Sequence, residues 1–268
     1  MVDGAGADAE PRSMDHVDPM PGTPLESLVS GIRAALGADL VGIYLYGSSV
    51  SGGFDLGVSD LDLVAVTRAE VEEIDLGGLD EMQRDIVSRY PDWNDRLEIV
   101  YIGKTTLQAF RTNSGSLAVI SPGEPFHVVG GVADWLQNWY LVRETGVTLD
   151  GAAAADVMPT ISRVEFVAAV ARYAGWLGAW SLGDLGAGSL AYAVLSTCRA
   201  CRTVRTGVPC SKHEGAAWVA ERMPEWAWLI DTALRCRLSG GRTGFDDEPT
   251  RAAARTFIAL LVDETLGR

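Results

Sequence analysis

Gly47-Ser48, followed twelve residues after the serine by Asp60-Leu61-Asp62, is the stretch of this chain whose residue types ask most clearly for chemistry. It lies between two apolar runs, Val41 to Tyr46 and Leu61 to Val66, rich in Val, Ile, Leu and Tyr and bounded by Gly and Ser, and each reads as a short strand. Side chains two apart on a strand share a face, so Asp60 and Asp62 are expected side by side. Two close carboxylates repel unless one takes a proton or a cation sits between them. Oxygen-only ligands favour Mg²⁺, which keeps several waters and completes its shell with substrate phosphates. The loop over 47–53, Gly-Ser-Ser-Val-Ser-Gly-Gly, supplies small residues, hydroxyls and backbone N–H groups that let a phosphate chain approach. Taken singly, an Asp-x-Asp is common on surface strands and a Gly/Ser cluster is usually a turn. In this order they describe a nucleotide and metal site, and one that is not a Walker A loop, since no Gly-Lys-Ser/Thr follows.

Two strands flanking such a loop need a larger frame. With 268 residues, 47% of them hydrophobic, the chain is long enough for one large domain or two smaller ones, and a globular enzyme is the default. No apolar run reaches the length of a membrane span, and the N-terminus lacks a basic region followed by an apolar one, so a cytoplasmic location is expected. A net charge of −14 works against a nucleic-acid substrate, whose affinity comes largely from Lys and Arg on phosphates. The same balance suits a cationic small molecule, whose encounter an acidic cleft speeds. Of the cysteines, only Cys198-x-x-Cys201 has metal-like spacing. Without a second pair, and inside an apolar helical pattern, it reads as buried, reduced thiols.

Residues 1–22, rich in Gly, Ala, Asp, Pro and Met, read as a disordered leader, with Met14 or Met20 as alternative starts. A first domain is expected over 23–158. Thr23-Pro24-Leu25-Glu26 reads as a capping box opening a helix whose apolar face is Leu25, Leu28, Val29, Ile32 and Leu36. Thr67-x-x-Glu70 reads as another box, ahead of a helix carrying Leu79, Met82 and Ile86 and ended by Pro91. The run Arg96 to Ile102 reads as a third strand, with Glu98 either an edge glutamate facing water or a third acid of the site. This order implies a small mixed sheet with helices. Over 103–158 the pattern is poor: Ser121 to Pro125 reads as a loop, Asp134 to Tyr140 as helical with Trp135 and Trp139 either lining a sugar or base pocket or, the commoner use, packed in the core, and Ala152 to Pro159 as a linker. A second, all-helical domain is expected over 159–268, with helices at Val164 to Leu182, Leu190 to Val204, Ser211 to Met223, Trp226 to Leu238 and Thr250 to Leu266 forming a bundle. The fold class is α+β.

The helical half carries its own candidates. Ser211-Lys212-His213-Glu214 is a further capping box that puts Lys212 in the first turn of its helix, where a cation opposes the helix dipole at a cost of roughly 0.3–1 kcal/mol. A phosphate bound there would reverse that cost. Arg199, Arg202 and Arg205 fall three apart on the preceding helix, and at least one is expected to reach the same phosphates, Arg forks being suited to them.

The Gly-Ser turn leading through Gly-Gly to Asp60-Leu61-Asp62 resembles the signature of the DNA polymerase beta-like nucleotidyltransferases. Ala193 to Arg199, then Thr206-Gly207, Ser211-Lys212 and Ala216-Ala217-Trp218-x-x-Glu221-Arg222-Met223-Pro224, resembles the helical domain of the aminoglycoside adenylyltransferases that modify streptomycin and spectinomycin. Together the similarity covers most of the chain from about residue 24. It implies transfer of AMP from ATP to a hydroxyl of a cationic antibiotic, in a monomer, with Mg²⁺. It further implies that Gly47, Ser48, Ser59, Arg199 and Lys212 contact the nucleotide, that Asp60, Asp62 and Glu98 surround the metal ions, and that Glu98 is the base for the acceptor hydroxyl. Trp180 matches a tryptophan that contacts streptomycin in dual-specificity members. Asp184 comes one place early for the acid that follows it, and Ser189 stands where a second acid is expected, so spectinomycin is favoured over streptomycin. The alternatives are a nucleotidyltransferase acting on another small molecule or a protein side chain, and an inactive nucleotide-binding regulator.

Overall fold

The computed structural model describes residues 23–112 and 114–268; the leader expected over 1–22 lies outside them. The described chain forms two compact units. One comprises its residues up to Val50 with Leu61–Ala133 and Leu141–Pro159, and the other Ser51–Asp60, Asp134–Tyr140 and Thr160–Arg268. The second unit thus takes in the segment that runs from the Gly-Gly turn to Asp60.

In the first unit, α1 (Leu25–Leu36) buries Leu25, Leu28, Val29, Ile32 and Leu36, the face read from the sequence. Its N-cap is Pro24 and no side chain caps it, so the Thr23…Glu26 box does not form. Strand β1 (Leu40–Tyr46) follows, then the one-turn helix α2 (Ser48–Ser51) and strand β2 (Leu61–Thr67). Thr67 ends that strand instead of capping a helix. Its hydroxyl donates to the Ala69 and Ile102 carbonyls, and α3 (Leu76–Arg89) starts nine residues later, capped by Asp75. Strand β3 (Leu97–Gly103) and the short helix α4 (Lys104–Gln108) come next.

β4 (Leu117–Ser121) and β5 (Glu124–Val129) form a hairpin around Pro122-Gly123, where the sequence suggested only a loop. Then α5 (Leu136–Thr145), which belongs to this unit only from Leu141 on, β6 (Val147–Gly151) and the single turn α6 (Ala154–Val157) complete the series. The stretch 152–159 is packed and not a loose linker. Ala154, Val157 and Met158 are buried, Tyr44 donates to the Ala152 carbonyl and Arg143 to the Met158 carbonyl.

The six strands make one mixed sheet in the order β5-β4-β3-β2-β1-β6. Only β2 and β3 run parallel. A parallel pair needs a crossover, which α3 supplies, and both strands are consequently central and apolar. Five of seven residues in each are buried in succession, Leu63 to Thr67 and Ile99 to Gly103, while position two of each strand, Asp62 and Glu98, is half exposed.

The second unit is built on α7 (Arg163–Trp180), α8 (Ala187–Thr206), α9 (Lys212–Arg222), α10 (Ala227–Leu238) and α11 (Glu248–Leu266), matching the helical pattern of the sequence to within a few residues at each end. α8 is the central helix, burying Leu190, Ala193, Val194, Leu195 and Cys198 in one core with Ala216, Leu229, Ile230, Phe257 and Leu261. Gly215 lets α9 lie against it: a Cβ there would come within 2.6 Å of the Arg199 Cα. Complete capping boxes start α7 (Ser162, Glu165) and α9 (Ser211, Glu214). All four cysteines are free, and Cys198, Cys201 and Cys236 are buried, with burial pushing their thiols up. No described helix is long and apolar enough to cross a membrane.

Candidate active site

In the sheet unit the acids meet by register. Tyr46 of β1 stands opposite Asp62 of β2, and Asp62 pairs with Glu98 of β3, so the three residues form one row across three adjacent strands. The Tyr46 hydroxyl donates to Glu98 Oε1 at 3.1 Å, which fixes the orientation of that carboxylate. Gly47 follows Tyr46 with φ +72°, a left-handed conformation that side chains resist. A Cβ at Gly47 would fall 2.1 Å from Asp62 Oδ2. The glycine therefore does two things at once: it turns the chain out of β1 and leaves room for the Asp62 carboxylate. Ser48 opens α2, and the neighbouring Ser49 hydroxyl is buried with no hydrogen-bond partner.

This donor set fits a hard cation with an anionic ligand: two oxygen acids in register, a glycine cradle and an unsatisfied buried hydroxyl. Among the described residues no three His, Cys, Asp or Glu side chains are gathered into a metal cluster. Mg²⁺ does not require one, since it is commonly held by one or two carboxylates with waters and substrate phosphates filling the remaining positions. β2 begins at Leu61, so Asp60 stands just before the strand and not within it.

The helical unit places the other predicted residues. Lys212, in the first turn of α9, sets its Nζ 4.4 Å from the centre of the Tyr192 ring, a cation–π contact. Both line a cavity of about 300 Å³ with Leu195, Arg237 and the turn Gly240-Gly241. Arg199 lies half-buried on α8, beside the close α9 contact at Gly215. Arg202 approaches Glu214 at 3.9 Å, and Arg205 is paired with Glu264, so these two arginines of the triplet are engaged in protein ion pairs. Ser59 is buried, and its hydroxyl accepts hydrogen bonds from the Asp55 backbone N–H (2.9 Å) and from Arg237 Nη2 (3.0 Å). Trp180 stacks on Trp176, ring centres 5.5 Å apart, and meets Tyr192 edge-on. Trp176 in turn stacks on Tyr173, whose hydroxyl lies 2.6 Å from that of Tyr192. Asp184 is directed into solvent, with Arg251 3.9 Å away.

Residues 156–263 match the family model for the aminoglycoside adenylyltransferase C-terminal domain. The helical domain is thus similar to the C-terminal domain of the aminoglycoside adenylyltransferases. No curated protein sequence matches the chain significantly. Among solved structures, spectinomycin adenyltransferase AAD(9) from Enterococcus faecialis, crystallised with ATP and spectinomycin, has the same fold: TM-score 0.71 and 19% identity, over 90% of this chain and 98% of that one. The similarity of fold extends beyond the helical domain to the sheet unit as well.

Several residues of the site escaped the sequence. Tyr46 carried a signal, since it is the last residue of a strand running into Gly47-Ser48 and so must lie near whatever the turn holds. Asp55, His213 and Arg237 carried none. Arg237 Nε donates to Asp55 Oδ2 at 2.8 Å, and His213 Nε2 lies 2.9 and 3.1 Å from the two oxygens of the same carboxylate. Burial alone would raise the Asp55 pKa, but hydrogen bonds and charge from Arg237 and His213 outweigh it and hold the carboxyl below its ordinary value.

Proposed function

We propose that the enzyme transfers AMP from ATP to a hydroxyl of an aminocyclitol or aminoglycoside, with spectinomycin a better acceptor than streptomycin. The observation that carries this reading is the Tyr46–Asp62–Glu98 row, with Gly47 moulded against Asp62. Glu98, oriented by Tyr46, takes the proton of the acceptor hydroxyl. The hydroxyl oxygen bonds to the α-phosphorus, the bond from that phosphorus to the bridging oxygen breaks, and pyrophosphate leaves. Asp60, Asp62 and Glu98 are the residues to hold Mg²⁺, which when bound neutralises triphosphate charge and polarises the reacting phosphate. Gly47 and Ser48 receive the phosphates by backbone and hydroxyl donors. Ser59, Arg199 and Lys212 bind the nucleotide from the helical unit, the cations stabilising charge that moves onto the leaving group.

The spectinomycin preference is supported by two observations. The solved adenyltransferase of the same fold was crystallised with that antibiotic. Asp184, the acid nearest Trp180 in sequence, faces solvent beside Arg251. Trp180 is the residue to contact the acceptor.

The test is pyrophosphate release from ATP and Mg²⁺ with spectinomycin, streptomycin and other aminoglycosides offered singly, with the product mass checked for an added AMP. Release with spectinomycin above all others supports the assignment. Release with streptomycin alone reverses the preference, and no release with any of them overturns the transfer.

A further inference from the structure

The segment Ser51–Asp60 is fastened to the helical unit by one half-buried constellation. Arg237, on α10, has a side chain 17% exposed and Asp55 one 13% exposed. The guanidinium is forked: Nε binds the Asp55 carboxylate and Nη2 the Ser59 hydroxyl. His213, on α9, binds the same carboxylate. Inside the segment the Asp55 carbonyl accepts from the N–H groups of Val58 and Ser59, at 3.0 and 2.9 Å, and the Ser59 hydroxyl accepts from the Asp55 N–H. Gly57, at φ +83°, permits so tight a turn. Asp55 to Ser59 is thus a closed loop whose two ends are both gripped by Arg237, and the next residue is Asp60. The capping box of α9 further fixes the first turn that carries His213 and Lys212.

We infer that Arg237 is a positioning residue for the proposed nucleotidyl transfer, setting through Asp55 and Ser59, with His213 as a second clamp, the conformation of the loop that delivers Asp60. It rests on the transfer reading above. A planar fork can serve a carboxylate and a hydroxyl together, whereas a lysine ammonium is a point charge and holds one of them well. Arg237→Lys therefore keeps the Asp55 contact and weakens that to Ser59, while Arg237→Gln loses the charge altogether.

The experiment compares wild type, Arg237→Lys, Arg237→Gln and Asp55→Asn, each shown folded by circular dichroism, in spectinomycin-dependent pyrophosphate release and in limited proteolysis without substrate. A merely structural role lowers the fraction of active enzyme and leaves the KM for ATP where it is. A positioning role raises that KM at least fivefold in Arg237→Gln, lowers kcat at least tenfold, places Arg237→Lys between that variant and wild type, and makes the 51–60 segment at least tenfold more readily cleaved. Asp55→Asn, nearly isosteric, gives the same pattern and carries the test if Arg237→Gln does not fold. A KM for ATP within twofold of wild type in both Arg237→Gln and Asp55→Asn overturns the inference. If wild type itself transfers nothing, the transfer reading and the catalytic role fall together, and the proteolysis still reports whether Arg237 holds the loop.

Discussion

The sheet unit and the helical unit solve the same problem, holding charged groups in place, by opposite means. In the sheet unit, Asp62 and Glu98 sit at equivalent positions of adjacent parallel strands, and backbone pairing alone brings them together. In the helical unit, no backbone register joins α9, α10 and the 51–60 segment. There side chains hold one another: Arg237 and His213 on Asp55, Lys212 on Tyr192, Ser211 and Glu214 on their own helix end. Positions set by backbone pairing tolerate loss of a side chain. Positions set by mutual side-chain contacts do not.

Substitution of Asp62 is the strongest way to expose this contrast. Asp62→Asn keeps the strand pairing and the volume and removes one negative charge, so turnover should fall by about 10³-fold or more, about 4 kcal/mol in barrier, while the thermal midpoint stays close to wild type. Steady-state pyrophosphate release and a melting curve on the same preparation read both. Retained turnover would show that the acid row is a structural coincidence. Gly47→Ala tests the same region from the backbone side. The methyl meets Asp62 Oδ2 and the residue is forced to stay at positive φ, a strain of about 1–3 kcal/mol. Turnover should drop roughly 10–100-fold even though no functional group is removed.

Much of this was legible in the sequence because its cause is local. The strands that carry Asp62 and Glu98 follow from their apolar runs, and α1 and the helices from α7 to α11 from periodicity and breaks, whereas the row itself comes from register between strands and Asp60 falls just before β2, outside the expected alternation. Where local signals misled, a non-local contact had taken the residue: Thr67 looks like a cap but spends its hydroxyl on carbonyls at the end of β2. β5 was hidden because it is a half-exposed edge strand containing Pro125, with none of the alternation that marks a buried face. The Arg237–Asp55 pair was illegible for a plainer reason: 182 residues separate its partners, and only packing of the helical unit brings them together. Helix position and spacing singled out Lys212 and the arginine triplet, and the resemblance alone narrowed the triplet to Arg199.

In the helical unit, Lys212→Gln is expected to act on nucleotide binding more than on the chemical step. The glutamine keeps much of the stem over Tyr192 and loses the charge, so the KM for ATP should rise about tenfold, the worth of one charge-assisted contact to phosphate. The effect should shrink as salt is raised, because part of it is screened attraction. A KM for ATP unchanged at low salt would place Lys212 outside the nucleotide site.

The effect that separates the two units by pH concerns Asp55. Its carboxyl lies below the ordinary value of 3.8 in the folded chain because Arg237 and His213 bind the charged form more strongly than burial disfavours it. A group whose native pKa is depressed adds stability that is complete above its unfolded value and disappears as the pH falls through the native one. Asp55→Asn should therefore cost about 1.5–3 kcal/mol near neutrality, the worth of hydrogen bonds to a charged group. The gap between wild type and variant in urea unfolding should narrow from about pH 4 downward. No such narrowing is expected for Gly47→Ala, whose cost is strain and clash and contains no proton. Equal pH dependence of the two variants would show that the grip on the 51–60 segment comes from shape and not from charge.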